Sequence, residues 1–393
     1  MMGGQSIERA ESGRILLHDT VPARKTIGGV ARVFEQIAAG IIEHFGPKAI
    51  VYSPVAEGWG DATVIKSLPR FFPTRSAKWF GYNAVMSRLG GRLVAAAARR
   101  AKVDVIYSPF YGWVPTGIPQ IFMVHDLIYE RLPQFFEQRS VYRTDAVLKD
   151  KRRCLLGGCA LVAVSNNTKR DILELYPEVS SQKIQVIYHG VDEAFFRDPN
   201  TSRPSKPYFV FVGNRGLYKN FGRLLEAYAQ SGLASELDLL CVSPSGNGFS
   251  PDEHLRIKKL GIEGKVRLIV GADEQQLCAA YAHSQALIYP SEYEGFGLPL
   301  LEALASGTLV LASNSSSLPE VGGAAPCYFD CYDVNSIASS LRWSASLTAG
   351  QRAARILQGV DHARSFTWSR ARKQTLELIG SILREQRRGN ARL

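Results

Sequence analysis

Twelve short apolar runs, rich in β-branched residues and separated by helical stretches, constrain the fold of this chain more than any other feature. Six lie in the first half, at 14–18, 48–53, 103–108, 120–124, 160–165 and 184–188. Six more follow at 208–213, 237–242, 266–270, 286–290, 308–312 and 326–329. The runs are largely apolar without clean alternation, which predicts strands buried on both faces of a parallel sheet with helices on each side. Strand–helix alternation repeated in two halves reads as two doubly wound α/β domains. The polar stretch Arg197 to Pro207, with three prolines and no periodicity, marks the boundary near residue 200. Two facing domains of this type leave a cleft lined by the carboxyl ends of both sets of strands, where ligands bind.

A length of 393 residues with 46% hydrophobic and 21% charged residues supplies two cores and excludes disordered, collagenous and coiled-coil classes. The six cysteines form no C-x-x-C pair, which disfavours zinc ribbons and thioredoxin-type motifs and fits a reducing compartment. The first ten residues lack an apolar signal region, and no run approaches the roughly 18 apolar residues of a membrane span. The expectation is a soluble, cytosolic chain. Its net charge is +11, unevenly spread. Between Ala62 and Val103 there is no acid, while nine cations from Lys66 to Lys102 are interleaved with Phe71, Phe72, Trp79, Phe80 and Tyr82. That pattern suits an anionic bilayer surface or a nucleic acid, and the aromatics favour the bilayer. The tail from Arg384 to Arg392 adds four arginines against one glutamate.

The residues that carry chemistry fall in loops after predicted strands. In Tyr289-Pro-Ser-Glu-Tyr-Glu-Gly-Phe-Gly-Leu-Pro-Leu-Leu-Glu302, a buried strand ends at Pro290, and a loop holding Gly295 and Gly297 opens a helix with Pro299 near its first position. Backbone N–H groups at that start and the helix dipole make a phosphate site, and the glycines allow close approach to a ligand. Glu294 and Glu302 suit sugar hydroxyls beside such a phosphate. In Phe209-Val-Phe-Val-Gly-Asn-Arg-Gly-Leu-Tyr-Lys-Asn-Phe221, Arg215 and Lys219 form a cationic loop at a strand's end, suited to a diphosphate. Ile121-Phe-Met-Val-His-Asp-Leu127 puts His125 and Asp126 just past a buried strand, where Asp126 either orients the histidine or caps the adjoining turn. A Gly28-Gly29 pair follows the first strand.

With seven residues between them, Glu294 and Glu302 reproduce the E-x7-E motif, and the chain resembles the retaining glycosyltransferases of family 4. The resemblance implies the GT-B fold, two Rossmann-like domains facing each other across a cleft: an acceptor-side domain over 1–200 and a nucleotide-sugar domain over 201–365. It also implies a helix over 366–393, headed by Phe366-Thr-Trp368, that crosses back to the first domain and carries the basic tail. By the same resemblance, Lys219 and Arg215 hold the donor diphosphate and assist its departure. His125 and Glu294 position the donor sugar, and Glu302 holds the ribose. Gly28, Gly29, Gly295, Phe296, Gly297 and Leu298 approach donor phosphate or sugar. The segment Tyr188-His-Gly-Val-Asp192 resembles the family's N-G-V-D, with His189 in place of Asn, and reads as structural. Gly271 to Leu277 resembles the base-reading stretch, and Ser315 to Val321 one that packs near ribose or diphosphate. The wording Val212-Gly-Asn-Arg-Gly-Leu-Tyr-Lys-Asn-Phe221 looks like the branch building bacterial O-antigens, capsules and exopolysaccharides.

The activity so implied is retaining hexosyl transfer, best matched to mannose from GDP-mannose, onto a lipid-linked or polysaccharide acceptor at the inner face of the cytoplasmic membrane. The Lys66–Lys102 segment then touches the bilayer, and nucleic acid is not a partner. No D-x-D pair is present, since two residues, Cys331 and Tyr332, separate Asp330 from Asp333, so no metal and no other cofactor is expected. A UDP-sugar-dependent member of the family, an epimerase or phosphorylase on the same fold, and a non-catalytic basic binding protein are the alternatives.

Overall fold

The computed structural model describes residues 13–19, 29–53, 59–66, 80–136, 141–244 and 248–390. Each of the twelve runs forms a strand, and a thirteenth appears at Thr63–Lys66. The first sheet contains β1 (Ile15–His18), β2 (Ala49–Ser53), β3 (Thr63–Lys66), β4 (Val105–Ser108), β5 (Gln120–Val124), β6 (Ala160–Ala163) and β7 (Ile184–Val186). The second contains β8 (Tyr208–Val212), β9 (Asp238–Ser243), β10 (Val266–Val270), β11 (Ala286–Tyr289), β12 (Val310–Ser313) and β13 (Cys327–Phe329). Their orders are β3-β2-β1-β4-β5-β6-β7 and β10-β9-β8-β11-β12-β13, and every neighbouring pair is parallel. The central strands are buried along their whole length, for example Ile15–His18 and Tyr208–Val212, as continuous apolar runs require when helices cover both faces. β3, Thr-Val-Ile-Lys, lies at an edge and is partly exposed, ending in a lysine as edge strands often do.

In both sheets the order reverses beside the first strand of the domain, between β1 and β4 and between β8 and β11. Crevices form at the carboxyl ends of strands at such switch points, and these ends carry His125, the Arg215–Lys219 loop and the Glu294–Leu298 loop. The chain crosses between domains twice. The first crossing follows β7. At the second, Gly190 lies so close to Trp368 that an added Cβ would come within 2.1 Å of its backbone nitrogen. The helix Trp368–Asn390 then packs along the first-domain helix Gly29–Phe45: Arg372 Nε donates to the Gln36 carbonyl at 2.8 Å, and Leu383 covers Gly13.

Candidate active site

The loop between β11 and the helix Leu298–Ala305 is built by glycine geometry. Gly297 precedes the helix at φ +101°, a conformation that favours glycine, and no side chain caps the helix behind it. Pro299 has no N–H and the Leu300 and Leu301 N–H groups donate to the Gly297 carbonyl at 3.1 and 3.3 Å, so within the first turn it is the Leu298 N–H that is left to a ligand or water. Gly295 is packed against the first domain. A Cβ there would sit 1.6 Å from the His125 carbonyl oxygen, so the missing side chain lets the second domain touch the backbone of the first. The Gly295 carbonyl accepts from Ser165 Oγ at 2.7 Å and Thr168 Oγ1 at 3.2 Å, both first-domain residues. Phe296 is likewise buried between domains, its ring against His189 (4.7 Å), Tyr188 and Phe366. The Ser315–Val321 stretch braces the loop, with Ser316 Oγ accepting from the Glu294 N–H and Ser317 Oγ donating to the Glu294 and Phe296 carbonyls.

Lys219 and Glu294 meet. The ammonium lies 2.5 Å from Glu294 Oε1 and over the rings of Tyr218 and Tyr289, and both charged groups are only about an eighth exposed. The Lys219 loop is strained, with the non-glycine residues Leu217 (φ +57°) and Asn220 (φ +59°) in the left-handed region. Asn220 is held there by bonds from its Nδ2 to the Pro290 and Cys331 carbonyls. Arg215 lies in the same cavity wall but is engaged elsewhere: it binds Glu253 at 3.0 Å, donates to the Gly248 carbonyl and covers the Phe249 ring.

Glu302 is 5% exposed. One carboxylate oxygen takes Arg32 at 2.5 Å and the other accepts from the Tyr281 hydroxyl at 3.0 Å. Burial raises the Glu302 pKa, with Arg32 and the Tyr281 bond opposing it. Arg32 comes from the first turn of the helix that Gly29 opens and also faces Asp192 at 3.7 Å. Gly29 itself lies against Leu298, while Gly28 is outside the described residues.

His125 Nε2–H donates to the Pro109 carbonyl at 2.7 Å, leaving Nδ1 to accept. Burial holds its pKa below that of a free histidine, against the Pro109 bond. Asp126 does not orient the ring. Its Oδ1 accepts from the Ile128 N–H at 3.1 Å, so of the two roles open to it, capping is the one realised. His189 lies 5.9 Å from His125, and burial, together with His125, pushes its pKa well down. Between the two domains opens a cavity of about 570 Å³, lined by Phe110, Asp126 and Tyr129 on one side and by Arg215, Tyr218 and Lys219 on the other.

Residues 27–195 match the model for "Glycosyltransferase Family 4" and residues 192–351 that for "Glycosyl transferases group 1". An O-antigen chain mannosyltransferase B from Escherichia coli is 31% identical over 291 residues, covering 72% of this chain and 75% of that protein. The chain belongs to glycosyltransferase family 4. An MMP alpha-(1->4)-mannosyltransferase from Mycolicibacterium hassiacum is 34% identical over 166 residues, 42% of this chain and 39% of the relative. A D-inositol 3-phosphate glycosyltransferase from Salinispora tropica is 28% identical over 338 residues, 76% of this chain and 68% of the relative. Among solved structures, sucrose-phosphate synthase from Thermosynechococcus elongatus superposes with a TM-score of 0.76 at 18% identity, over 94% of this chain and 99% of that one. The lipopolysaccharide glycosyltransferase WaaG superposes at 0.71 and 18%, over 92% and 98%. The fold of this family 4 chain is accordingly GT-B.

Two members of the cluster escaped the sequence reading. Arg32 is 270 residues from Glu302 and carried one signal, a cation one turn beyond the glycine pair. Glu320 is the other. It reaches across from the second domain to the start of the helix Asn166–Leu175, accepting from the Asn166 and Asn167 N–H groups at 2.6 and 3.0 Å and from the Tyr188 hydroxyl at 2.7 Å. A carboxylate at a helix N-terminus is well placed for the dipole, but its belonging to the other domain leaves no trace in the sequence.

Proposed function

We propose that this glycosyltransferase catalyses retaining transfer of a hexose, mannose from GDP-mannose, to a carbohydrate acceptor, without a required metal or other cofactor. The observation that carries the donor site is the Lys219–Glu294 pair at the interdomain cleft, with the buried Glu302 one turn into the helix that follows Glu294 and the His125 carbonyl against Gly295 of the same loop. Lys219 and the Leu298 N–H at the helix start neutralise the departing diphosphate, work that a metal does elsewhere. Arg215 joins them once it exchanges Glu253 for phosphate oxygen. Ribose hydroxyls bond to Glu302 in place of Arg32. The bond from the anomeric carbon to the diphosphate oxygen breaks as the acceptor oxygen bonds from the same face. The acceptor's proton passes to the departing phosphate oxygen, and neither glutamate acts as nucleophile.

Mannose is supported by the mannosyltransferases among the relatives, including the O-antigen chain mannosyltransferase RfbU of Salmonella typhimurium. The acceptor in this reading is lipid-linked or polysaccharide, at the inner membrane face, and the O-antigen chain mannosyltransferases among the relatives support the surface-glycan part of it. No helix among the described residues is long and apolar enough to cross a membrane. The exposed cations Arg92, Arg99, Arg100 and Lys102 support peripheral contact with anionic lipid, although residues 67–79 of the basic segment lie outside the described residues. A UDP-sugar donor is the second reading, favoured by the Anabaena neighbour HepE, solved with UDP and with UDP-glucose at TM-scores of 0.66 to 0.68.

The test is thermal denaturation of wild type and Lys219→Ala with GDP, UDP, ADP and their sugars. A nucleotide at about 100 times its Kd stabilises the folded state by about 2.7 kcal/mol. GDP and GDP-mannose are expected to raise the wild-type Tm, and the variant to respond weakly. A response to UDP alone replaces the donor, and no response to any nucleotide removes the donor site. The anomeric configuration of the product, read by NMR, decides retention.

A further inference from the structure

We propose that Tyr293 and Asp171 are positioning residues: one hydroxyl, shared between the two domains, sets Glu294 against the His125 loop so that both meet the donor sugar. The proposal rests on the transferase reading and adds to it two residues that act through Glu294 and His125.

Tyr293 immediately precedes Glu294, yet its side chain belongs to the contact between domains. The ring is buried in one apolar cluster with Ile128 and Phe136 of the first domain. Its hydroxyl donates to Asp171 Oδ2 at 2.6 Å and accepts from the Leu127 N–H at 3.3 Å. Asp171 lies on the first-domain helix Asn166–Leu175, and Leu127 is two residues past His125. One oxygen atom therefore joins the residue before Glu294 to the segment that carries His125.

Asp171 is a fixed acceptor. It is buried, its Oδ1 takes Arg131 Nε and Nη2 at 3.0 and 2.6 Å, and its Oδ2 also takes Asn167 Nδ2 at 3.0 Å. Burial, then the Asp171 carboxylate, raises the Tyr293 pKa, so the hydroxyl keeps its proton and the bond keeps its direction. A charged acceptor makes such a bond stronger than one between neutral groups. Glu294 itself is held from both sides. Ser316 and Ser317 bind its backbone within the second domain, and the Gly295 carbonyl meets Ser165 and Thr168 of the first. The Gly295 tie is made by backbone, which any residue supplies. The Tyr293 tie is made by a group that packing does not need, because phenylalanine would fill the same apolar space. The hydroxyl contributes only its bonds, and both go to the other domain.

Calorimetric titration of the full chain with GDP and GDP-mannose, or with UDP and UDP-glucose where those stabilise it, tests this on wild type, Tyr293→Phe and Asp171→Asn. The readout is the factor by which the sugar tightens nucleotide binding. In Tyr293→Phe that factor is expected to fall toward one, a loss of up to about tenfold (1.4 kcal/mol), with affinity for the free nucleotide unchanged. Asp171→Asn should show the same loss, and the double variant no more than either, because both substitutions remove one bond. A merely structural role would lower the Tm or weaken both ligands alike. Equal factors in wild type and Tyr293→Phe overturn the proposal. Hydrogen exchange of the unliganded chain is an independent readout. The Leu127 N–H loses its acceptor in Tyr293→Phe and should exchange about tenfold faster, while the amides of Tyr208–Val212 keep their rates. Unchanged exchange at Leu127 also overturns the proposal, since the hydroxyl then does not reach the His125 loop in solution. If no nucleotide binds, the transferase reading fails, and exchange alone decides whether one hydroxyl joins the two loops.

Discussion

A carboxylate as buried as Glu302 is tolerated only while its partners hold it, because desolvation of an unpaired charge costs several kcal/mol. Arg32 and Tyr281 are those partners, and Arg32 comes from the opposite domain, so the pair is at once a neutralising contact and a tie across the cleft. Breaking a fully buried pair costs about 3–5 kcal/mol and an exposed one less than 1. With the Arg32 side chain 29% exposed, Arg32→Ala is expected to lower unfolding stability by about 2 kcal/mol, between these limits. In a double-mutant cycle with Glu302→Gln, denaturant unfolding should return a coupling of about 1 kcal/mol or more; additive losses would show that the two groups do not interact in solution. On the proposed ribose role of Glu302, donor should also bind Glu302→Gln more weakly than wild type, because a charged acceptor for the hydroxyls is lost. At this scale the sequence carried the types and the local spacing: Glu294 and Glu302 on either side of a helix start, Lys219 after a strand. It could not carry who pairs with whom. Arg32, Glu253, Pro109 and Glu320 are each brought to their partners by tertiary structure, and no periodicity relates positions that far apart.

Elements were read correctly where their whole length is apolar. A strand such as Tyr208–Val212, buried on both faces, has one signature that neither helix nor loop imitates at that length. Thr63–Lys66 was missed because an edge strand needs apolar character on only part of one face, and its cationic surroundings outweighed four residues of pattern. The glycine loop shows a subtler limit. Sequence placed Gly295 and Gly297 at a strand-to-helix turn, as found, but a glycine that admits a ligand and one that admits another domain are written identically. Gly295 admits the other domain, which makes a sharp prediction. In Gly295→Ala the methyl group meets the His125 carbonyl, a backbone atom with little room to move, so the loop must withdraw and the cleft stay wider. Neither sheet is touched. Circular dichroism is therefore expected to remain that of wild type, while X-ray scattering reports a larger radius of gyration. Transfer should fall by about a hundredfold or more, as a displacement of about 1 Å at a reacting centre produces. Unaltered scattering and turnover would mean that closure in solution does not use this contact.

The whole molecule is two sheets joined by two crossings, and where they meet it buries two histidines. His125 follows β5 and His189 follows β7, two strands apart in one sheet, so their loops are neighbours although the residues are 64 positions apart. His189 is also enclosed by Phe296 of the second domain and Trp368 of the crossing helix. Both imidazoles have folded-state pKa values below the ordinary value near 6.5, burial being the largest cause for each. Between that ordinary value and the lower folded one, the unfolded chain holds more protons than the folded chain. Stability is then fully present above about pH 6.5 and falls as pH drops below it, by up to about 1.4 kcal/mol per pH unit for each histidine. Thermal denaturation across pH 8 to 5 should show a plateau followed by a decline that begins near 6.5, before most carboxylates titrate. His189→Asn, which removes one of the two groups and restores the asparagine of the related N-G-V-D segment, should make that decline shallower, and His189→Asn with His125→Asn shallower still. Because both rings lie at the junction of the domains, the first acid event should be their separation, seen as increased scattering dimensions while each sheet keeps its circular dichroism. A profile in which neither substitution alters the decline would mean that these imidazoles reach water in the folded molecule, and hence that the domains spend much of their time apart.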